Sequence, residues 1–206
     1  MWQLKIINLK KNNNKKKLQI DDKTFGGGAG LIMKADIINQ FLKKEFKEEK
    51  PEKIICLTPK GKKISQKYIK NLSKMNYISI LCNRFEEIDQ RIKENWKFEE
   101  ISIGDFILAG GDVAAMALIE STIRLIPGVM KNNQSLKEES FNEKLLEYNH
   151  YTNPTNWMGF RIPKILKSGH HYNINIWRLK ESKKNTKINR IDLWKIHLKN
   201  LIKTEK

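Results

Sequence analysis

Apolar residues fall along this chain in short blocks separated by polar turns that carry glycine or proline. Residues 4–9 alternate weakly between apolar and polar and predict a strand, with an exposed polar loop over 10–17. The glycines of FGGGAG (25–30) lead into LIMKADIINQFLKKEF, whose apolar positions recur at helical spacing through Leu42, so the glycines are expected to open a helix. KIICLTP (53–59) reads as a short buried strand, and ISQKYIKNLSKM after its turn is amphipathic. YISILCN (77–83) repeats the strand pattern. FILAGG (106–111) repeats it again, before a helix running from near Asp112 to Leu125.

Strand, turn and helix thus alternate, which predicts an α/β domain around a mostly parallel sheet. Ligands of such sheets lie at the carboxyl ends of the strands. The turns at 58–62, 83–89 and 103–112 are expected there. The pattern stops after Pro127-Gly128. Residues 1–130 are read as the α/β domain, 131–144 as a polar linker, and 145–206 as a small helical domain ending in the amphipathic LWKIHLKNLIK.

Charge narrows the partner. Forty Lys and Arg against twenty-three Asp and Glu give a formal net charge of +17, a field that favours a polyanion such as nucleic acid. Lysine dominates, so part of this charge is a solvated surface, and the six arginines (Arg84, Arg91, Arg124, Arg161, Arg178 and Arg190) are the candidates for geometric tasks. Cys56 and Cys82 lie in apolar runs and form no metal-ligand spacing with the four His, so they read as reduced core thiols and no metal site is expected. No apolar stretch approaches the roughly 20 residues of a membrane span. With no signal-peptide pattern at the start, a cytoplasmic protein without a membrane partner is expected.

Three segments carry candidate chemistry. FGGGAG lacks both the Lys-Ser/Thr of a P-loop and the spacing of a dinucleotide fingerprint, and a tight turn explains it equally well. SIGDFILAGGD (102–112) is stronger, because Gly104, Gly110 and Gly111 bracket an apolar run and let backbone amides approach a ligand; a glycine-eased chain crossing inside a core is the alternative. WRLKESKKNTK (177–187) places an aromatic, an Arg and several Lys on one helix, a surface suited to gripping phosphates. Arg124, on a helix face that otherwise packs, needs an anionic or polar partner.

FGGGAGLIM, LTPKGKKISQ, LCNRFEEIDQR, EEISIGDFILAGGDVAAMALIESTIRLIPGV, EESF, LLEYNHYTNP and SGHHYNINIWRLKES occur in this order. The series resembles the bacterial tRNA (guanosine-37-N1) methyltransferases of the SPOUT class, over residues 2–186. The resemblance implies a parallel sheet with a deep trefoil knot, an exception to the usual rules of chain connection, joined to a helical carboxyl-terminal domain. It implies S-adenosylmethionine as methyl donor, contacted by Leu57, Thr58, Asn83, Glu86, Ile103, Gly104, Asp105, Phe106, Ile107, Leu108 and Gly110. It further implies tRNA as substrate and a homodimer whose active site combines both subunits.

By the same resemblance Glu139 occupies the position of the family's catalytic Asp and would act as general base, while Arg124 matches the active-site arginine. Gly28, Gly30 and Ser135 would help to hold the flipped guanine. The chain departs from the pattern in several places. Trp2 aligns with the start of the family's second strand, so the first strand and helix have no counterpart, and the tail after Thr186 is shorter. Asn83 and Glu87 stand where the family has glycine, and Glu139 is one methylene longer than Asp. A degenerate RNA-binding homologue without methyl transfer is the alternative expectation.

Overall fold

A computed structural model describes residues 2–9, 19–84, 86–130, 139–141 and 144–204. The chain forms two compact units, Met1–Met130 and Lys131–Lys206.

The first unit is built on β3 (Lys53–Lys63), the central strand of a parallel sheet with β4 (Ile78–Leu81) on one side and β6 (Glu99–Ser102) on the other. The continuous apolar run of β3 is explained by burial on both faces, the usual condition of a central parallel strand. Ile54 and Cys56 pack on one face with Ile38 and Leu42 of α1 (Ala35–Glu45) and Ile92 of α3 (Gln90–Asn95). Ile55 and Leu57 pack on the other with Ile69 and Leu72 of α2 (Gln66–Leu72) and Ala114, Ala115 and Leu118 of α4 (Gly111–Ile123). Ile38 and Ile55 are fully buried, and each such side chain contributes about 1.5–3 kcal/mol.

A second small sheet orders β1 (Asp21–Lys23), β2 (Leu31–Met33) and β5 (Glu87–Ile88), with β1 antiparallel and β5 parallel to β2. It corrects the expectation for 31–33: the glycines of 25–30 open a strand, and the helix begins only at Ala35, after Lys34. Leu31 and Met33 stand two apart, the spacing of one face of a strand, and β1 and β5 offer Ile32 and Met33 ladder partners, so pairing overrides the helical period read through this segment. Residues 4–9 form no strand. Nor do 106–110: the strand lies earlier, at β6, and Phe106, Ile107 and Leu108 are exposed.

In the second unit, a short hairpin pairs β7 (Asn156–Trp157) with β8 (Phe160–Arg161). A 3-10 turn (Lys164–Lys167) leads into the long helix α5 (His171–Asn189) and then α6 (Ile191–Thr204). The segment before the hairpin lies along α5. Thr186 Oγ1 accepts from the Leu146 backbone N–H at 2.8 Å, Asn185 donates to the Glu147 carbonyl at 2.9 Å, and the Arg178 guanidinium sits over the Tyr148 ring at 4.7 Å. No helix among the described residues is long and apolar enough to cross a membrane.

Candidate functional site

The ligand candidates of the first unit lie on three loops at the carboxyl ends of its strands. The first interrupts β3. Leu57 and Lys62 both pair with Ile101, so residues 58–61 leave the ladder and return to it at the same partner. The return is tight: a Cβ at Gly61 would lie 2.4 Å from the Ile101 nitrogen and 2.5 Å from its Cα. Only glycine fits against a neighbouring backbone at that distance. Leu57 and Thr58 are buried at the loop entrance, whereas Pro59 and Lys60 are exposed at its tip.

The second loop follows β4. Half-buried Asn83 accepts, through its carbonyl, the Gly111 backbone N–H at 2.7 Å, which ties this loop to the start of α4. Glu86 is exposed and donates its backbone N–H to Leu31. Gly30 is left-handed at φ +85°, and a Cβ there would meet Glu86 Cγ at 2.1 Å, so the glycine segment and the second loop are brought together. Gly28, also exposed, lies beside Thr24.

The third loop runs from β6 to α4. Ser102 Oγ donates to the Gly104 carbonyl at 2.9 Å and accepts from the Gly104 N–H at 3.2 Å, forming a closed turn. Phe106 folds its ring back over Gly104. Ile103 and Gly110 are half-buried, and Asp105 pairs with Lys63 at 2.8 Å. Phe106 and Ile107 are 54% and 79% exposed, which identifies them as side chains available to a ligand or partner rather than core residues. The three loops together offer backbone donors and acceptors beside apolar side chains, the composition of a pocket for a small organic ligand.

Behind these loops runs a charged chain that the sequence did not single out. Lys60 pairs with Glu87 at 2.9 Å, Glu87 with Lys93 at 3.5 Å, and Lys93 with Glu100 at 2.7 Å. Lys93 is buried. Burial alone would raise the Glu87 carboxyl, but hydrogen bonds from Lys60 and the Ile88 N–H, together with the Lys93 charge, hold it below the usual carboxylate range. Desolvation likewise opposes charge on Lys93, and the Glu100 and Glu87 contacts outweigh it. Burial pushes the Cys56 thiol up to about 12, leaving it inert. No group of three metal-ligating residues occurs among the described residues.

Arg124 caps the carboxyl end of α4 and is half-buried. Glu139 belongs to the second unit and is half-buried. Its neighbour Ser140 is held twice by Glu147, whose carboxylate accepts the Ser140 N–H at 3.2 Å and whose own N–H is accepted by Ser140 Oγ at 3.1 Å. Ser135 lies outside the described residues. On α5 and α6 several lysines are exposed, in keeping with a phosphate-facing surface. The exposed pair Trp157 and Phe160, stacked at 6.3 Å across the hairpin, was not anticipated. Its signal was Met158-Gly159, two residues with φ of 50° and 87°, the turn chemistry of a two-residue hairpin.

The arrangement defines an α/β protein with three loops at the carboxyl end of a parallel sheet. Residues 1–196 match the family model described as tRNA (Guanine-1)-methyltransferase TrmD. The tRNA (guanine-N(1)-)-methyltransferase of Pelagibacter ubique is 44% identical over 200 residues, covering 97% of this chain and 87% of that protein. The enzyme of the same name from Ehrlichia ruminantium is 44% identical over 194 residues, covering 94% and 83%. That of Cereibacter sphaeroides is 42% identical over 201 residues, covering 96% and 81%. The chain belongs to the tRNA (guanine-1)-methyltransferase family.

Proposed function

We propose that this protein transfers a methyl group from S-adenosylmethionine to N1 of guanosine 37 in tRNA, acting as a cytoplasmic homodimer. The observation that carries the reading is the convergence of the three loops in a chain of this family. The knot follows the same reading. A strand that leaves and rejoins at Ile101, with Gly61 pressed on that residue's backbone, supports a tightly threaded crossing. The residues present fit the donor: Leu57, Ile103 and Leu108 supply apolar walls for an adenosine, and the backbone around Thr58, Asn83, Gly104 and Gly110 supplies hydrogen-bonding groups. Glu86, Asp105, Phe106 and Ile107 complete the set. The bound donor would supply an electrophilic methyl on a sulfonium.

Guanine N1 carries a proton and is a poor nucleophile until that proton begins to leave. Glu139 accepts it as general base. The adjacent Ser140 is held by two hydrogen bonds with Glu147, and the extra methylene of Glu139 relative to Asp extends its reach. Arg124 offsets the negative charge that develops on the base as the proton departs. Gly28, Gly30 and Ser135 hold the flipped guanine, with residues 131–144 as the interdomain linker. The N1–methyl bond forms as the sulfur–methyl bond breaks, and no covalent bond to the protein is needed.

Calorimetric titration with S-adenosylmethionine tests the donor assignment. Saturable heat is expected. No heat up to millimolar donor would overturn it and leave an RNA-binding protein without methyl transfer.

A further inference from the structure

The three donor loops are joined by one chain of alternating charges. Lys60 stands at the tip of the first loop, Glu87 directly follows Glu86 of the second, and Glu100 lies on the strand that feeds the third; Lys93 of α3 sits between the two carboxylates. The distances from Lys60 to Glu100 along this chain are 2.9, 3.5 and 2.7 Å. Two lysines face two glutamates, so the group is neutral as a set. Its members differ in role. Lys93 is 4% exposed and Glu87 19%, so the inner part is a fixed platform, whereas Lys60 is 74% exposed and reaches it from solvent.

Residues 58–61 are fixed at the entrance by buried Thr58, whose Oγ1 accepts the Lys60 N–H at 3.4 Å, and at the exit by Gly61 on Ile101, and the Lys60 side chain adds a charged contact at the tip. We infer that Glu87 is a positioning residue: by pairing with Lys60 it latches the tip of the 58–61 loop in the shape that receives the methyl donor. This rests on the proposed methyl-donor reading. Glu87 stands where the family pattern has glycine, and its carboxylate is turned toward Lys60 and Lys93, where it serves as a tether.

The test compares full-length wild type with Lys60→Met, Lys60→Arg, Glu87→Gln and the double variant Lys60→Met/Glu87→Gln. Donor affinity is read by calorimetry without RNA, and KM and kcat on a tRNA transcript. Loss of one exposed pair predicts about three- to fivefold weaker donor binding for Lys60→Met, with kcat changed by less than about twofold. Lys60→Arg keeps wild-type affinity. In the double variant, Lys60→Met adds almost nothing to Glu87→Gln, because the partner is already gone. The difference between wild type and Lys60→Met also shrinks toward 1 M salt, where the screening length is about 3 Å. A purely structural role would move none of these in that pattern. Wild-type donor affinity in Lys60→Met, or additive effects in the double variant, would overturn the latch while leaving the function standing. A weakened KM for tRNA with unchanged donor affinity would also overturn it, assigning Lys60 to RNA contact. Absence of donor binding by the wild type would overturn the methyl-donor reading and the latch with it.

Discussion

Replacing Gly61 by Ala tests the close approach of the 58–61 loop to the Ile101 backbone. The added Cβ would stand 2.4–2.5 Å from the N, C and Cα atoms of Ile101, whereas carbon contacts settle near about 3.5–4.0 Å. Relief requires the two backbones to part by about 1 Å, and no side-chain rotation can supply it. Ile101 is 2% exposed and pairs with both Leu57 and Lys62, so the movement would open the ladder on both sides of the loop. Overpacking of this kind costs about 1–3 kcal/mol, and a backbone obstacle places the expected cost at the upper end. With about 2–4 °C lost per kcal/mol at this chain length, Tm falls by about 6–12 °C. Gly128→Ala is the control: its φ is +86° with nothing within 4 Å of the added carbon, so only left-handed strain of about 1–2 kcal/mol applies. Thermal unfolding followed by circular dichroism compares them. A Gly61→Ala shift no larger than that of Gly128→Ala would refute the close approach.

Glu139→Gln should bind donor normally yet lose about 100-fold or more in kcat on tRNA, as expected for removal of a general base; an unchanged kcat would remove Glu139 from that role. Arg124→Ala should lose about 100- to 1000-fold in kcat by the same assay, and retention of activity would end its electrostatic role. The Asp192 carboxyl is held down to about 2, chiefly by the hydrogen bond from Arg190, which donates to it at 2.9 and 2.6 Å. Because its folded value is depressed, the stabilisation it provides is present above the unfolded value of about 4 and is lost as pH falls toward 2. Carboxyl NMR should therefore show its midpoint rising to about 4 in Arg190→Gln, and an unmoved midpoint would contradict the pairing. Cys56, 1% exposed and with a thiol at about 12, should resist thiol reagents in the folded chain, and rapid labelling of it would contradict the burial.

Those elements whose apolar runs serve one task were legible in the sequence. The run of β3 is apolar because helices cover both faces, and its length marked it as a strand. The 106–108 segment was misread for a related reason. Phe106, Ile107 and Leu108 look like a buried strand, yet they are exposed, and periodicity cannot tell an apolar run that is buried from one that is not. Leu31–Met33 was absorbed into the helix after it because three residues fit either period. The three loops at the carboxyl ends of the strands could be located from turn residues alone. The chain from Lys60 to Glu100 could not, since its successive members lie 27, 6 and 7 residues apart along the sequence and meet only when β3, α3, β5 and β6 assemble. Glu139 is singled out as a base by family resemblance alone, because an acid in a polar segment carries no local signal of catalysis.

Mapping the product tests the central claim most directly. A tRNA transcript with guanosine at position 37 is incubated with the protein and S-adenosylmethionine, then digested and examined by mass spectrometry. The account predicts 1-methylguanosine at that position and none in a transcript with adenosine there. An unmethylated transcript in the presence of bound donor, or a methyl group on another atom or nucleotide, would contradict it.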